Sequence, residues 1–166
     1  MEYTLRRYRD GDEHALSTLC REAITQIGPR AYSEEQIAAW VARHPGPERY
    51  RERVASGAII FVVADDIGTP VAYSLLEPDG HLDHLYAHPQ HTRRGLAEQA
   101  LEAAENHAVE LGIARLYTEA SELARPAFER AGYSATHRRD FTIPSDGREI
   151  AIHNYAMEKA LNGLRS

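Results

Sequence analysis

A short run of arginines and small residues, Thr92-Arg93-Arg94-Gly95-Leu96-Ala97, stands between a predicted strand and a predicted helix. The first N–H groups of a helix have no partner within it, and the helix dipole puts partial positive charge at the same end. Two guanidinium groups add charge there, while Gly95 and Ala97 are small enough for phosphate oxygens to reach the backbone. The pattern therefore predicts a diphosphate cradle at residues 93–97. The alternative is a solvated helix start in which Gly95 is only a turn residue.

Hydrophobic periodicity and turn residues predict a single domain over residues 1–166, with seven strands and five helices. Strands are expected at 3–8, 58–65, 70–77, 81–88 and 113–119, followed by two more that are joined near Ser145-Asp146-Gly147. Helices are expected from 10–13 to Gly28, from Ser33 to Pro45, and over 48–55, 97–111 and 124–131.

The lengths of the connections predict how these strands pair. The three strands between 58 and 88 are joined by short turns, so they form an antiparallel meander. The helix over 97–111 separates the strands at 81–88 and 113–119, which are therefore expected to be parallel neighbours. Residues 59–63 are apolar at every position, and this predicts a central strand covered on both faces. The expected fold class is α/β, a mixed sheet flanked by helices.

Composition and charge exclude several classes of protein. The chain carries a formal net charge of -6, whereas nucleic-acid-binding proteins present basic surfaces, so no nucleic-acid partner is expected and cationic small substrates are favoured. The single cysteine, Cys20, excludes an intramolecular disulfide and fits a reducing compartment. Neither a signal sequence nor a bilayer-spanning apolar stretch is recognised, so a cytoplasmic protein with no membrane partner is expected.

Two nucleotide-binding patterns are also missing. The only lysine is Lys159, so the glycine-lysine phosphate loop of nucleotide hydrolases is absent. No two glycines are separated by a single residue, which excludes the dinucleotide-binding fingerprint and makes a nicotinamide or flavin cofactor unexpected.

Two linked motifs span residues 85–133. The first is Leu85-Tyr86-Ala87-His88-Pro89 followed by Arg93-Arg94-Gly95-Leu96-Ala97, and the second is Ser121-x-x-Ala124-x-x-x-Phe128-Glu129-x-x-Gly132-Tyr133. Both resemble the acyl-CoA-contacting motifs of the GNAT superfamily of N-acetyltransferases, although Thr92 stands where that family carries Gln or Arg. Segments 32–40, 118–121 and 124–126 are also similar to a bacterial subgroup of acetyltransferases.

The resemblance implies a GNAT-like acyl-CoA N-acyltransferase fold, with acetyl-CoA as co-substrate and direct transfer of the acetyl group to a primary amine. It implies that the parallel strand pair splays, that the pantetheine arm lies in the gap, and that the thioester carbonyl lies near the N–H of Leu85 or Tyr86. The residues that it places against the cofactor are Leu85, Tyr86, Ala87, Arg93, Arg94, Gly95, Leu96, Ala97, Ser121 and Phe128.

The same resemblance indicates catalytic candidates. Asp83 stands where many members carry a glutamate, and Glu119 ends the opposite strand, so either carboxylate is a candidate general base, with Asp83 slightly ahead. The alternative for each of them is a structural role, in which the carboxylate fixes a loop or pairs with an arginine. Many relatives use a tyrosine to protonate the departing thiolate, but the matching residue here is Phe128. Tyr133, Tyr117 or water would supply that proton, and a thiol with a pKa of about 8.5 also leaves without a dedicated acid.

Residues for the acceptor are expected on the elements that flank the open side of the splay. Tyr32, Trp40 and His84 are the candidates for contact with the amine, and a core position is the alternative for Trp40. The histidines between 81 and 91 do not predict a metal site, because side chains three residues apart on a strand point to opposite faces. No metal is therefore expected, and a homodimer is a further expectation because dimers are frequent among similar proteins.

Two other classes of protein stay open. Phe128 and Thr92 depart from the family pattern, and this fits a catalytically weak sensor of acyl-CoA. The other class is an α/β binding domain that does not recognise CoA.

Overall fold

The computed structural model describes residues 2–44 and 46–161 and shows a mixed α/β fold, which confirms the predicted fold class. In these residues the strands are β1 (Thr4–Arg7), β2 (Ile59–Ala64), β3 (Pro70–Leu76), β4 (Leu82–Ala87), β5 (Arg115–Ala120), β6 (Ser134–Ser145) and β7 (Arg148–Ala160). The helices are α1 (Glu13–Ile27), α2 (Glu34–Ala42), α3 (Glu48–Ala55), α4 (Leu96–Glu110) and α5 (Arg125–Arg130). None of these helices has the length and apolar character that crossing a bilayer requires.

The predicted elements form with ends shifted by a few residues. Pro45, the predicted end of α2, lies outside the described residues. Ser33 begins that helix with the expected capping box, in which its side chain accepts from the Gln36 N–H and its own N–H donates to the Gln36 side chain. Short 3₁₀ turns at Gly28–Arg30 and Pro89–His91 follow α1 and β4.

The strands form two antiparallel sheets that meet at one parallel bridge. The first sheet has the order β1-β2-β3-β4 and the second has the order β5-β7-β6. The bridge pairs His81 with Tyr117, and beside it the Thr118 hydroxyl donates to the Leu82 carbonyl at 2.7 Å. No ladder pair joins β4 to β5 beyond this point in the described residues. The expected parallel pair is therefore present and splays, leaving a gap between β4 and β5.

Helices pack on both faces of the first sheet. Leu16 and Leu19 of α1 belong to the same buried cluster as Tyr73, whereas Leu96 and Ala100 of α4 pack with other residues of β2 and β3. As a result β3, which lies between β2 and β4, is buried at every position.

The expectation of a strand covered on both faces over 59–63 is only partly correct. Val62 and Val63 are buried, but Ile59 and Phe61 are half-buried. The strand that is covered throughout is β3, because it has a neighbouring strand on each side and a helix on each face.

The last two strands form a hairpin much longer than their neighbour β5. Only residues 155–160 of β7 pair with β5, so the other half of the hairpin extends past it and reaches α2. Asp146 and Gly147, between the strands, have φ values of 52° and 74°, the left-handed pair that a tight two-residue hairpin turn requires. The hairpin therefore lies beside the gap between the two sheets.

Glu13, in the first turn of α1, is a buried carboxylate. It accepts hydrogen bonds from the Tyr8 hydroxyl (2.8 Å) and the Gly11 N–H (2.9 Å), and it also contacts the Arg51 guanidinium. Burial alone would raise its pKa, but the hydrogen bonds and the guanidinium outweigh burial and lower the pKa from 4.5 to about 2. The folded protein therefore stabilises the ionised form.

The free energy of unfolding should depend on pH through Glu13. As pH falls from about 4.5 to about 2, the unfolded chain takes up this proton before the folded protein does, so stability decreases. Glu13→Gln should cost about 2 kcal/mol at pH 7 and flatten that decrease in urea unfolding measured at several pH values. Glu48→Gln is the matched control, because Glu48 is an exposed carboxylate that also pairs with Arg51. The same acid dependence in Glu13→Gln and the parent protein would contradict this assignment.

Candidate active site

The gap between β4 and β5 opens into a cavity of about 350 Å³. Its walls come from β4, β5, the α2–α3 region, the start of α5 and the β6–β7 hairpin. The predicted site residues that line it are Tyr32, Trp40, Asp83, His84, Leu85, Tyr86, Glu119, Ser121 and Phe128. Residues that line it without having been predicted include Arg43, His44, Arg49, Tyr50, Arg53, Arg139, His153 and Asn154.

Asp83 is the carboxylate that β4 contributes to this cavity. Its Oδ2 accepts a hydrogen bond from Nη2 of Arg53 at 2.8 Å, and Nε2 of His84 lies 3.7 Å from the same oxygen. Burial would raise the pKa of Asp83, but the hydrogen-bonded Arg53 guanidinium and the nearby His81 cation lower it. The carboxylate is thus ionised, and its Oδ1 accepts no hydrogen bond from the residues that the structure describes.

His84 is buried and is held in place by a chain of hydroxyls. Its Nδ1 lies 2.8 Å from the Tyr73 hydroxyl, which lies 2.7 Å from the Tyr50 hydroxyl. Burial lowers the pKa of His84 to about 3, so the imidazole is neutral at physiological pH. The His44 ring meets it edge to face at 5.1 Å, and burial lowers the pKa of His44 to about 4.

Glu119, at the opposite side of the gap, is hydrogen-bonded to a histidine that joins it to a second carboxylate. Nε2 of His81 lies 2.7 Å from Glu119, and Nδ1 lies 2.6 Å from Glu77. The ring also stacks on Tyr117 at 4.8 Å. Burial would lower the pKa of His81, but the hydrogen bonds to Glu119 and Glu77 raise it to about 9. His81 is therefore a cation at the point where the two sheets meet.

The apolar and aromatic part of the cavity wall is tied to the surrounding elements. Tyr32 packs edge to face on Trp40 at 5.5 Å, and its hydroxyl donates to the His153 carbonyl at 3.0 Å. Ser121 accepts a hydrogen bond from the Ala124 N–H at 3.1 Å, which fixes the turn before α5. Phe128 is buried and reaches the cavity from α5. Trp40 thus lies in the cavity wall while also packing against the core.

The predicted diphosphate cradle lies at the end of β4 and the start of α4, outside the lining of the cavity. Arg93 and Gly95 have φ values of 65° and 73°, so the chain turns through the left-handed region twice before the helix. Backbone N–H groups from residue 93 to 98 donate to no acceptor in residues 2–44 and 46–161. The Arg94 guanidinium is tethered by the Tyr3 hydroxyl at 3.0 Å, whereas Arg93 is exposed. The cradle therefore presents unpartnered donors and positive charge.

Tyr133 does not reach the cavity. Its ring is buried against Phe128, and its hydroxyl donates to Glu105 at 2.8 Å. Burial and this carboxylate raise its pKa well above the usual value. Tyr133 therefore lies away from the cavity in which a proton donor would act, and its hydroxyl is already engaged by Glu105. Tyr117 also lies outside the lining, stacked on His81.

Two groups of side chains have metal-ligating atoms within 4.8 Å of one another: His81 with Asp83 and Glu119, and Cys20 with His44 and His84. In the first group the carboxylates are already paired with His81 and Arg53. In the second group, burial raises the pKa of the Cys20 thiol to about 11, so it carries its proton at neutral pH and is also a poor nucleophile.

Sequence reasoning missed the arginines and His44 because they lie 30 or more positions from the strand residues that they face. Arg53 and Asp83 are 30 residues apart, and the pattern around Arg53 indicated only a short helix. One signal was present, since α3 is rich in arginine.

His81 should titrate far above the ordinary histidine range. Because its folded pKa is raised from 6.5 to about 9, the stability that it contributes is fully present below about pH 6.5 and is lost as pH rises through about 9. A histidine NMR titration should show this pKa in the parent protein and a lower one in Glu119→Gln. Glu22→Gln is the control, since Glu22 pairs with His88 and not with His81. Titration of His81 near 6.5 would show that the two carboxylates do not hold it.

Comparisons with known proteins identify the family and support the fold. A family model described as an acetyltransferase (GNAT) domain matches residues 29–143. YafP, an uncharacterised N-acetyltransferase of Escherichia coli (strain K12), is 27% identical over 135 residues, which cover 81% of this chain and 83% of YafP.

Solved structures extend the similarity to nearly the whole chain. A GCN5-related N-acetyltransferase from Rhodopseudomonas palustris is 29% identical with a TM-score of 0.85, and the match covers 97% of both chains. PaiA N-acetyltransferase from Thermoplasma acidophilum, solved in complex with coenzyme A, has a TM-score of 0.78 at 18% identity, covering 96% of this chain and 99% of PaiA. Because the family model spans most of the chain and solved members share its fold, the protein belongs to the GNAT family of N-acetyltransferases.

Proposed function

We propose that the protein transfers an acetyl group from acetyl-CoA directly to a primary amine of a small molecule or peptide. The observation that carries this proposal is the position of the unpartnered N–H groups of residues 93–98 next to the parted strands. A diphosphate bound at these donors lets the rest of the cofactor follow the open edge of β4 into the cavity.

The binding of coenzyme A draws on three features of the chain. The cradle supplies amides and the Arg93 and Arg94 guanidinium groups for the diphosphate. The free edge of β4 over Leu85, Tyr86 and Ala87 can pair with the pantetheine amides. Solved relatives support this site, since the PaiA structure contains coenzyme A and a phosphinothricin acetyltransferase from Sinorhizobium meliloti contains AcCoA.

The strand register favours one donor for the oxyanion. The His88 N–H donates to the Val71 carbonyl of the neighbouring strand region, so alternation along β4 turns the Tyr86 N–H the same way. The Leu85 N–H then points into the gap, where a thioester carbonyl would lie. An amide placed there stabilises the negative charge that develops when the carbonyl becomes tetrahedral.

The chemistry needs a proton acceptor in the cavity. An alkyl ammonium has a pKa near 10.4, so it must lose a proton before its nitrogen attacks the thioester carbon, forming the C–N bond and releasing the thiolate. Asp83 is the proposed base because its Oδ1 accepts no hydrogen bond in the described residues and lies 3.9 Å from Nε2 of His81. Glu119 is the alternative because its contact with His81 leads on to Glu77. When the tetrahedral intermediate collapses, the C–S bond breaks and the nitrogen loses its second proton to water or to the departing thiolate, because Phe128 has no proton to donate.

The proposed activity is tested by incubating the protein with acetyl-CoA and a panel of primary amines while free thiol is measured. Asp83→Asn should lower kcat by about 100-fold or more, with a smaller effect in Glu119→Gln. Glu102→Gln, an exposed carboxylate on α4, is the control. A larger loss in Glu119→Gln would transfer the base role to Glu119.

Absence of thiol release with every amine would overturn the enzymatic proposal. In that outcome, saturable binding of CoA would favour the acyl-CoA sensor. Failure of CoA to raise the melting temperature would instead favour a domain that does not bind CoA, because a ligand that prefers the folded state must stabilise it.

Substitution of Gly95 should weaken CoA binding as well as lower the stability of the fold, and the two effects can be measured separately. Gly95 and Gly112 have φ values of 73° and 76°, and a Cβ at either position would meet no atom within 4 Å. Alanine should therefore cost both variants a similar stability of about 1 kcal/mol. Only Gly95→Ala places its methyl group in the cradle, so it should weaken CoA binding about tenfold in calorimetry, while Gly112→Ala at the other end of α4 should not. Equal CoA affinities in the two variants would place the diphosphate elsewhere.

A further inference from the structure

The charge of the cavity is opposite to that of the whole protein. Four arginines, Arg43, Arg49, Arg53 and Arg139, and two carboxylates, Asp83 and Glu119, line it, an excess of two positive charges. The chain has a formal net charge of -6. Since charges are screened over about 8 Å at physiological ionic strength, the local excess decides which ligand is attracted.

Three of these arginines have no acidic partner. Arg53 is neutralised by Asp83 at 2.8 Å and Glu77 at 3.1 Å. Arg43, Arg49 and Arg139 have no carboxylate within 4.0 Å in the part of the chain that the structure describes. Guanidinium groups gathered around a cavity without a counterion favour an anionic ligand.

Arg139 is the best oriented of the three. On β6 it stands directly across from Asn154 of β7, and its Nη1 donates to the Asn154 Oδ1 at 2.8 Å. Its guanidinium also lies over the Phe141 ring, 5.0 Å from the centroid. These two contacts hold a half-buried guanidinium in one plane and leave its other N–H groups for a bidentate partner.

The cavity therefore has two chemically different regions. Asp83 and Glu119, on the parted strands β4 and β5, form an acidic region that favours binding of an ammonium group. The arginines on the α2–α3 region and on the hairpin suit an anion. The cradle of the cofactor, residues 93–97, is a separate feature outside the cavity lining, so the cofactor's diphosphate does not account for this second positive region.

We propose that the acceptor is a small zwitterion of the amino-acid type, whose amine faces Asp83 and Glu119 while its carboxylate binds between Arg139 and the arginines at positions 43 and 49. This inference rests on the proposed acetyltransferase function and specifies its substrate class. The net charge of the chain predicts a cationic substrate. A zwitterion has the expected ammonium group, and it also has a carboxylate, which the net charge does not predict.

Matched sets of acceptors test the proposal: an amino acid, its carboxamide, and the amine that remains after decarboxylation. The carboxamide is the demanding comparison, because its amine, with a pKa near 8, is more often neutral and more reactive at pH 7 than an alkyl amine. We expect the amino acid nonetheless to have a kcat/KM at least about tenfold above both analogues. Equal or better use of the carboxamide would overturn the inference while leaving the acetyltransferase function intact. Absence of thiol release with all three and with the wider amine panel would instead reject the proposed function itself.

Substitutions of arginine give a second readout. Arg139→Gln should raise the KM for the amino acid about tenfold, with little change for the decarboxylated amine and none in CoA affinity. Arg138→Gln is the matched control, because Arg138 precedes it on the same strand, is exposed and pairs with Asp140. Arg49→Gln, at an exposed position of α3, tests the opposite side of the cavity without risk to the hairpin. An equal loss for the amino acid and the decarboxylated amine, or a loss of CoA affinity, would contradict the assignment.

Discussion

In the residues that the structure describes, one parallel bridge, between His81 and Tyr117, sets where the two sheets part and where the cavity opens. Above it the two sheets separate, and strand edges with free backbone donors and acceptors are exposed to the gap. A parted pair of strands is costly unless the junction is strong. Here the junction is reinforced by the His81 cation between two carboxylates and by the hydrogen bond from Thr118 to Leu82, so the opening begins at a defined residue.

The junction also sets the electrostatics of the site. Glu119 takes part in holding His81 and at the same time lines the cavity, so the group that joins the sheets is in contact with the place where chemistry is proposed. On the other side of the gap, Arg53 holds Asp83 in the same way. Each carboxylate therefore lies against a cation that belongs to another element, and both carboxylates line the cavity. His44 and His84 stay neutral because they are buried, so they add aromatic surface without adding charge.

Local patterns were sufficient for the elements, because helices and strands depend on residues that are close in sequence. The capping box at Ser33, the left-handed turn at Asp146-Gly147 and the small residues before α4 each occur where their residue types predict them. Long-range contacts were not available from these patterns. Tyr133 follows α5 directly, yet whether its hydroxyl meets the thioester or Glu105 depends on how α5 rotates against α4, which no local pattern specifies.

The sequence by itself determined the mixed α/β class, the order of its elements, the arginine-glycine turn before α4 and the membership of an acetyltransferase family, since all of these depend on contiguous motifs. The tertiary structure alone decided which side chains share the cavity. The four arginines come from α3, the segment after α2 and the distant hairpin, and Arg139 shares the cavity with the other three because the hairpin extends past β5 toward α2. A net charge averaged over 166 residues predicts the sign of the whole surface, whereas a ligand responds to the few charges within a Debye length.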